Sequence, residues 1–255
     1  MASLKADLGA LGVTPGMVVL VHSSLSAMGW VCGGPVAVIL ALQEALGPDG
    51  TLVMPTHSSD LTEPSRWESP PVPESWWPII RQSMPAFDPD LTPTRSMGVI
   101  PETFRKQKGV LRSDHPHVSV SARGPRAQEI TADHCLANGL GEDSPLGRLY
   151  DLRAHVLLLG VGHERNTSMH LAEYRADYAT KRTIEDGAPA ATGWIAFSEF
   201  ETDSSDFDRV GEAFLQSEAG HAVRRGRVGL ADSQLMPQRD LVDFAVSWLE
   251  ENRTS

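Results

Sequence analysis

The sequence predicts an α/β fold: a central, largely parallel sheet flanked by helices, with a small mixed lobe near the C-terminal third. Three observations carry that expectation. Met17 to His22 and Thr51 to Met54 are short apolar runs separated by a glycine-rich loop and a helix-forming segment, the order of a βαβ unit. A third apolar run, Val156 to Gly160, again leads through glycines into a segment that reads as a helix after Thr167. Runs that are apolar at every position belong to strands buried on both faces, as in parallel sheets.

The elements follow in order. Residues 2–11 place apolar side chains at helical spacing and end at Gly12, with Gly16 as a further breaker. Pro35 to Leu46 is helix-forming in composition and is closed by Gly47. Between Pro55 and Pro93, nine prolines and three tryptophans (Trp67, Trp76, Trp77) exclude regular structure from much of residues 55–98. A loop this long in a compact domain is either functional or disordered, and the tryptophans argue against disorder. It reads as a lid or wall over a ligand, with a packed surface excursion as the equal alternative. Val99 to Lys106 is expected to be helical, Val118 to Ala122 alternates like a strand, and Pro125 to Thr131 reads as a helix starting at proline. Ser144 is placed to cap a short helix from Pro145 to Tyr150. Residues 183–220 alternate, carry acidic side chains and contain glycine, which assigns them to the small lobe. The main lobe then takes about 1–182 and 221–255 of a single domain. Leu241 to Asn252 closes the chain as an amphipathic helix with Asp240 as its cap.

Composition narrows the function. The chain has 255 residues, enough for one large domain, and no apolar run approaches the length of a membrane span. Its start lacks the order of a secretory signal, and Cys32 and Cys135 are too few for a disulfide framework, so a cytoplasmic location is expected. A formal net charge of −11 repels nucleic acid and anionic membrane and attracts cations. That charge suits an ordinary soluble acidic protein, and it would also concentrate a polyamine or amino-sugar substrate.

Chemistry gathers around residues 160–173. With Thr167 as N-cap, His170 occupies the third helical position and Glu173 lies one turn further on. The segment follows a sheet strand, so the ring is delivered to the strand ends where α/β folds place ligands. The positive end of a helix disfavours an imidazolium, leaving a neutral ring able to take a proton. Glu173 would hold that ring in one tautomer. The pair reads as a general base with its orienting carboxylate. The first strand leads through His22, Ser23 and Ser24 to Gly29, Trp30, Val31, Cys32, Gly33 and Gly34. Glycines at a strand-to-helix crossing let backbone approach a ligand, although a plain tight turn explains this stretch when taken alone. It is neither a dinucleotide fingerprint nor a P-loop. His22 reads either as support for that turn or as a satisfied core histidine. The spacings of His57, His115, His117 and His163 match no metal motif, so no metal is expected.

Several motifs in register resemble one family. They are Val21 to Leu25, Gly50 to Thr56, Ser113-Asp114-His115-Pro116 with Gly124, Ser144 to Leu146, and Leu157 to His163 with Asn166, Thr167 and His170 to Glu173. Together they resemble the aminoglycoside 3-N-acetyltransferases, which are unrelated in fold to the GNAT enzymes. The match covers roughly residues 15–175, with a weaker echo to the C-terminus. The resemblance implies transfer of acetyl from acetyl-CoA to an amine of a 2-deoxystreptamine antibiotic, and hence a role in antibiotic resistance. It implies His170 as the base, with Ser23, Ser24 and Gly29 to Gly34 along the pantetheine and pyrophosphate of coenzyme A. The amides of Val31 and Cys32 become candidates for the thioester oxygen. The residues agree with that chemistry, since an amine must lose a proton to attack and a glycine-rich turn can aim N–H donors at developing negative charge. Direct transfer is preferred to an acyl-enzyme, with Cys32 only a lining residue.

For the amine, Asp60, Glu201 and Asp203 are the candidate carboxylates, each with surface solvation as the alternative. Asn166 and Thr167 would shape the helix start. The partners expected are a small cationic amino sugar and, as an open assignment, a second copy in a homodimer. Rival readings are acylation of another small amine, a non-catalytic coenzyme A-binding module, and a metallohydrolase. The Thr167, His170 and Glu173 grouping disfavours the second, and the ligand spacings disfavour the third.

Overall fold

Four consecutive side chains, Val156 to Leu159, are shut off from solvent, and they alternate between two separate cores. The sheet they belong to is therefore covered on both faces, which is why its strands read as unbroken apolar runs. The computed structural model describes residues 1–68 and 70–254. The chain begins α1 (Ala2–Leu11), β1 (Val18–Ser23), α2 (Gly34–Leu46), β2 (Thr51–Pro55) and, inside the proline-rich stretch, α3 (Trp77–Ser83). It continues α4 (Val99–Arg105), β3 (Leu111–Arg112), β4 (Val120–Arg123), α5 (Ala127–Thr131), α6 (Pro145–Asp151), β5 (His155–Leu159) and α7 (Ser168–Arg175). The last third is β6 (Thr183–Ala190), β7 (Gly193–Phe200), α8 (Phe207–Gln216), β8 (Arg224–Val228), β9 (Ala231–Pro237) and α9 (Gln238–Asn252).

The main sheet has seven strands in the order β3-β4-β2-β1-β5-β9-β8. The expected α/β class is what the structure has, and its parallel part is the central trio β2-β1-β5. Both flanks are antiparallel. At the outer edges the connections are short: β8 and β9 are joined by a tight turn, and no crossover helix lies between β3 and β4. One face carries α1, α2 and α4 over Val19, Val21, Leu52 and Leu157. The other carries α5, α6, α7, α8 and α9 over Leu20, Val53, Val156 and Leu158.

Several expectations need adjustment. The proline-rich stretch contains α3, because Pro78 falls in the first helical turn, where a missing N–H costs nothing. Arg112 holds that stretch down, donating to Pro89 O at 3.2 Å, Thr92 O at 2.5 Å and Thr56 O at 2.7 Å. The closing helix starts at Gln238 with Pro237 at its cap, so Asp240 sits in the first turn and does not cap it. Within residues 183–220, β6 and β7 form their own two-stranded sheet, while α8 drives Phe207, Val210 and Phe214 into the main core. Among the described residues, no helix is long and apolar enough to cross a membrane.

Candidate active site

The parallel neighbours β1 and β5 send their following helices to opposite faces of the sheet: α2 lies over one core and α7 over the other. A crevice must open where the two loops part. The turn after β5 needs glycine, since Gly160 has φ +69° and an added Cβ would sit 2.5 Å from that of Ala27. The cavity at this point is about 790 Å³ and is lined from both loops, by Ser23, Ser24 and Gly29 on one side and Val161, Arg165 and Thr167 on the other.

His170 lies on the first turn of α7, three residues beyond Thr167, which lines the crevice; His170 itself is not among the lining residues. Its Nδ1 lies 2.5 Å from Glu173 Oε2, and its side chain retains 15 % exposure against none for Glu173. The ring leans on Phe207 with centroids 4.9 Å apart. The other carboxylate oxygen, Oε1, accepts from Arg253 Nη1 at 2.6 Å and from the backbone N–H of Asp203 at 2.9 Å. A fully buried carboxylate needs such partners to remain ionised. With Nδ1–H donated to Glu173, the lone pair falls on Nε2, the nitrogen left to take a proton.

The helix start differs from expectation in one atom. Thr167 makes no capping hydrogen bond; Asn166 Oδ1 accepts from the Ser168 N–H at 3.2 Å instead. Thr167 itself is helical in conformation, which turns its hydroxyl toward His22 Nε2 at 3.3 Å. His22 is buried, and burial together with the charge of His170 pushes its pKa down to about 3. It is a neutral ring coupled to the helix start, which joins the two sequence readings of it.

Of the expected cofactor residues, Ser23, Ser24 and Gly29 reach the cavity wall. Ser23 Oγ is buried there without a partner. Gly29 has φ +75°, and a Cβ on it would lie 2.7 Å from Leu230. Trp30 stands out at 88 % exposure, Cys32 is exposed, Val31 is half-buried, and Gly33 and Gly34 turn the chain into α2. None of Trp30 to Gly34 lines the cavity. Within Gly29 to Gly34, it is Gly29 that reaches the wall.

A second cavity, about 280 Å³, adjoins the first through Ser96 and Met97. Ser96 adopts φ +58°, a conformation that non-glycine residues adopt only where the surroundings enforce it. His57, His115, His117, Asp186, Glu199 and Glu201 line this space. The expected carboxylates fare unequally here. Glu201 is present but already paired with Arg182 and Arg66. Asp60 is an exposed partner of Arg95 at 3.4 Å. Asp203 points to its own loop, with Oδ1 accepting from Ser205 N at 2.9 Å, and serves Glu173 through its backbone. Sequence reasoning missed Asp186 and Glu199, which the hairpin β6–β7 carries into the wall. Glu199 accepts from the Tyr174 hydroxyl, and burial raises its pKa. Alternating acidic positions in residues 183–200 were the available signal, but only the register shows which of them face inward.

Of the other histidines, His115 and His134 are hydrogen-bonded, whereas His57 Nε2 and both ring nitrogens of His163 are buried without partners among the described residues. His115 Nδ1 accepts from the His117 and Val118 N–H groups at 3.1 and 3.2 Å. His134 is spanned between Ser113 Oγ and Gly139 O at 2.8 and 2.6 Å. His163 is packed against Gly211 on α8. Among the described residues, no cluster of three or more His, Cys, Asp or Glu side chains has the arrangement of a metal site.

An imidazole paired with a buried carboxylate, a switch-point crevice and an adjoining charged pocket define an α/β protein with a polar ligand site. Comparison with known proteins is more specific. The sequence profile of the aminoglycoside 3-N-acetyltransferase family matches residues 20–250, and the chain belongs to that family. It is 47 % identical over 255 residues to the SPbeta prophage-derived aminoglycoside N(3')-acetyltransferase-like protein YokD of Bacillus subtilis (strain 168), covering 98 % of this chain and 92 % of that one. The crystal structure of YokD superposes with a TM-score of 0.94 at 46 % identity, over 98 % of this chain and 93 % of that one. AAC-IIIb in its binary complex with CoASH gives a TM-score of 0.84 at 34 % identity, over 100 % and 97 %. AAC-VIa bound to sisomicin gives 0.88 at 30 % identity, over 100 % and 98 %.

Proposed function

We propose that this chain transfers acetyl from acetyl-CoA to the 3-amino group of the 2-deoxystreptamine ring in an aminoglycoside, with His170 as general base. Family membership supports the reaction class, and the CoASH and sisomicin complexes of structural neighbours support the two substrates. One observation of this chain carries the mechanism: the 2.5 Å contact of His170 Nδ1 with a carboxylate buried beneath it.

The switch-point crevice fits an extended polar chain. Its wall is made of backbone turns and hydroxyls, and the unpartnered Ser23 Oγ is a donor and acceptor awaiting a ligand. Acetyl-CoA supplies an activated acyl group and a thiolate that leaves. Ser23, Ser24 and Gly29 would hold it, with Trp30 at the rim. Thr167 and His22 would set the helix start, and Thr167 Oγ1 would present its hydroxyl to the crevice.

In the second cavity, Asp186 and Glu199 would receive ammonium groups, with Tyr174 fixing Glu199. An amine becomes nucleophilic only after losing a proton, and Nε2 of His170 would take it, directly or through one water. Glu173 stabilises the imidazolium once formed. No residue of the site is an evident covalent nucleophile, since Cys32 lies exposed outside the wall.

A second reading, acylation of a different small amine, is favoured by Arg66 and Arg95, two guanidiniums on the wall of a pocket meant for a polycation. The deciding experiment measures thiol release with acetyl-CoA against a panel of 2-deoxystreptamine aminoglycosides and simple amines, with mass-spectrometric mapping of the product. Acetylation at N3 of an aminoglycoside is expected. Turnover confined to simple amines would establish the second reading, and tight acetyl-CoA binding with no turnover would leave only a binding module.

A further inference from the structure

Arg253 lies beyond the end of α9, 80 residues from Glu173 in sequence, yet its side chain is only 9 % exposed. All five of its N–H donors find acceptors. Nε and Nη2 grip the Asp206 carboxylate at 2.9 and 2.6 Å, and Nη2 also reaches Asp203 O at 2.6 Å. Nη1 reaches Glu173 Oε1 at 2.6 Å and the Tyr178 hydroxyl at 3.1 Å. Fastening the C-terminal tail would need only the bidentate fork to Asp206. Of the three donors that remain, one is aimed at the carboxylate that pairs with His170.

We infer that Arg253 is a positioning residue for acetyl transfer: it offsets the charge of Glu173 from behind, so that Glu173 orients the His170 ring without holding it as an imidazolium. This rests on the proposed reaction for its use, but not for its physics. A buried carboxylate whose only cationic partner is an imidazole draws a proton onto that ring, because an opposite charge favours the charged form. A ring already protonated cannot serve as a base.

The surrounding groups leave this task to Arg253. His22 from β1 and His57 after β2 are held neutral by burial, each down to about 3. Tyr174 and Tyr178 are pushed up, chiefly by burial, and carry no charge. Lys181 spends its ammonium on Tyr174 O and Ala176 O at 2.7 and 2.8 Å. Asp206 is neutralised by the same guanidinium fork, and Asp203 meets Glu173 through its backbone N–H. Arg253 is thus the cation in direct contact with Glu173.

The test is an NMR titration of the His170 ring in the free, full-length protein, its resonance identified by its loss in His170→Gln. Arg253→Gln is expected to move the midpoint upward by about one pH unit, and the acidic limb of kcat should follow. Arg253→Lys keeps a cation and should leave the midpoint in place while lowering the melting temperature. Asp206→Asn loosens the same tail but leaves Arg253 on Glu173, and should likewise lower Tm without moving the midpoint. An unmoved midpoint in Arg253→Gln overturns the inference. So does an equal shift in Asp206→Asn, or a shifted midpoint in Arg253→Lys, which remains decisive if Arg253→Gln does not fold. Wild-type protein that acetylates no amine would strike the proposed reaction instead, since the titration needs no turnover.

Discussion

The two cavities that meet at Ser96 and Met97 are built from opposite materials. The larger one is walled by turns, hydroxyls and apolar side chains, with Arg165 as its sole charged lining residue among the described residues. The smaller is crowded with Arg66, Arg95, Asp186, Glu199 and Glu201. A surface of the first kind recognises a long, flexible, amide-bearing ligand through its backbone. One of the second kind recognises and orients charge. His22 lines the larger wall and His57 the smaller, and burial keeps both rings neutral. Under the proposed function, a donor held by shape would meet an acceptor held by charge near His170, whose carboxylate partner is gripped from behind by Arg253.

That division predicts different failures on each side and at the junction. The largest effect belongs to the junction. Replacing His170 by Ala should lower kcat by about two to four orders of magnitude with little change in either KM, measured by thiol release under saturating substrates. Turnover near wild type would remove His170 from the chemistry and leave the two cavities without a centre. Glu173→Gln comes next. It keeps the shape and loses the charge that stabilises the imidazolium, so kcat should fall by about two orders of magnitude. Loss of a buried ion partner should also lower the melting temperature, because Arg253 would be left partly unpaired. A drop in Tm with kcat intact would reduce Glu173 to a structural ion pair.

How much of this was legible in the sequence follows from the range of the interactions. The βαβ start, the buried run at β5 and the i, i+3 pairing of His170 with Glu173 are local, and all three could be read from spacing. Ser144 capping α6 is equally local, and its Oγ accepts from Leu146 N at 3.1 Å as spacing implied. What escaped was set by distant contacts. Thr167 was assigned the cap because its position suits one, yet Asn166 took the bond while Thr167 met His22, 145 residues away. Arg253, 80 residues from Glu173, meets it only through the fold. The β8–β9 hairpin escaped because Arg224, Arg225 and Arg227 on an exposed edge strand carry no apolar alternation. Asp186 and Glu199 could not be singled out because solvent-facing and pocket-facing positions of β6 and β7 have similar composition.

The acceptor side should fail in affinity. Glu199→Gln removes a carboxylate from the smaller cavity while keeping the Tyr174 contact. The expected result is a rise of about tenfold in KM for the amine, about 1.4 kcal/mol of lost binding, with KM for acetyl-CoA unchanged. The same substitution at Asp60, exposed and already paired with Arg95, should change neither constant appreciably. Equal effects at Glu199 and Asp60 would mean that general surface charge attracts the substrate and that the pocket makes no selection.

The smallest effect distinguishes the cavities by what holds them together. The charged side is framed by rings that burial keeps neutral: His57 at about 3, His134 at about 4, and His115 well below its ordinary value. A histidine whose folded value lies below the unfolded 6.5 binds protons only when the chain unfolds. Its contribution is therefore complete above about pH 6.5 and is lost as pH falls toward the folded value, by about 1.4 kcal/mol per pH unit for each fully buried ring. The melting temperature should thus decline by several degrees between about pH 7 and pH 5. His134→Gln retains a donor and an acceptor for Ser113 and Gly139 but cannot titrate, so it should flatten part of that decline while lowering Tm slightly at neutral pH. A wild-type Tm level across that interval would show that these rings gain protons in the folded state. In that case the charged cavity, and not only the base beside it, would change its net charge with pH, and affinity for a cationic acceptor would weaken on acidification.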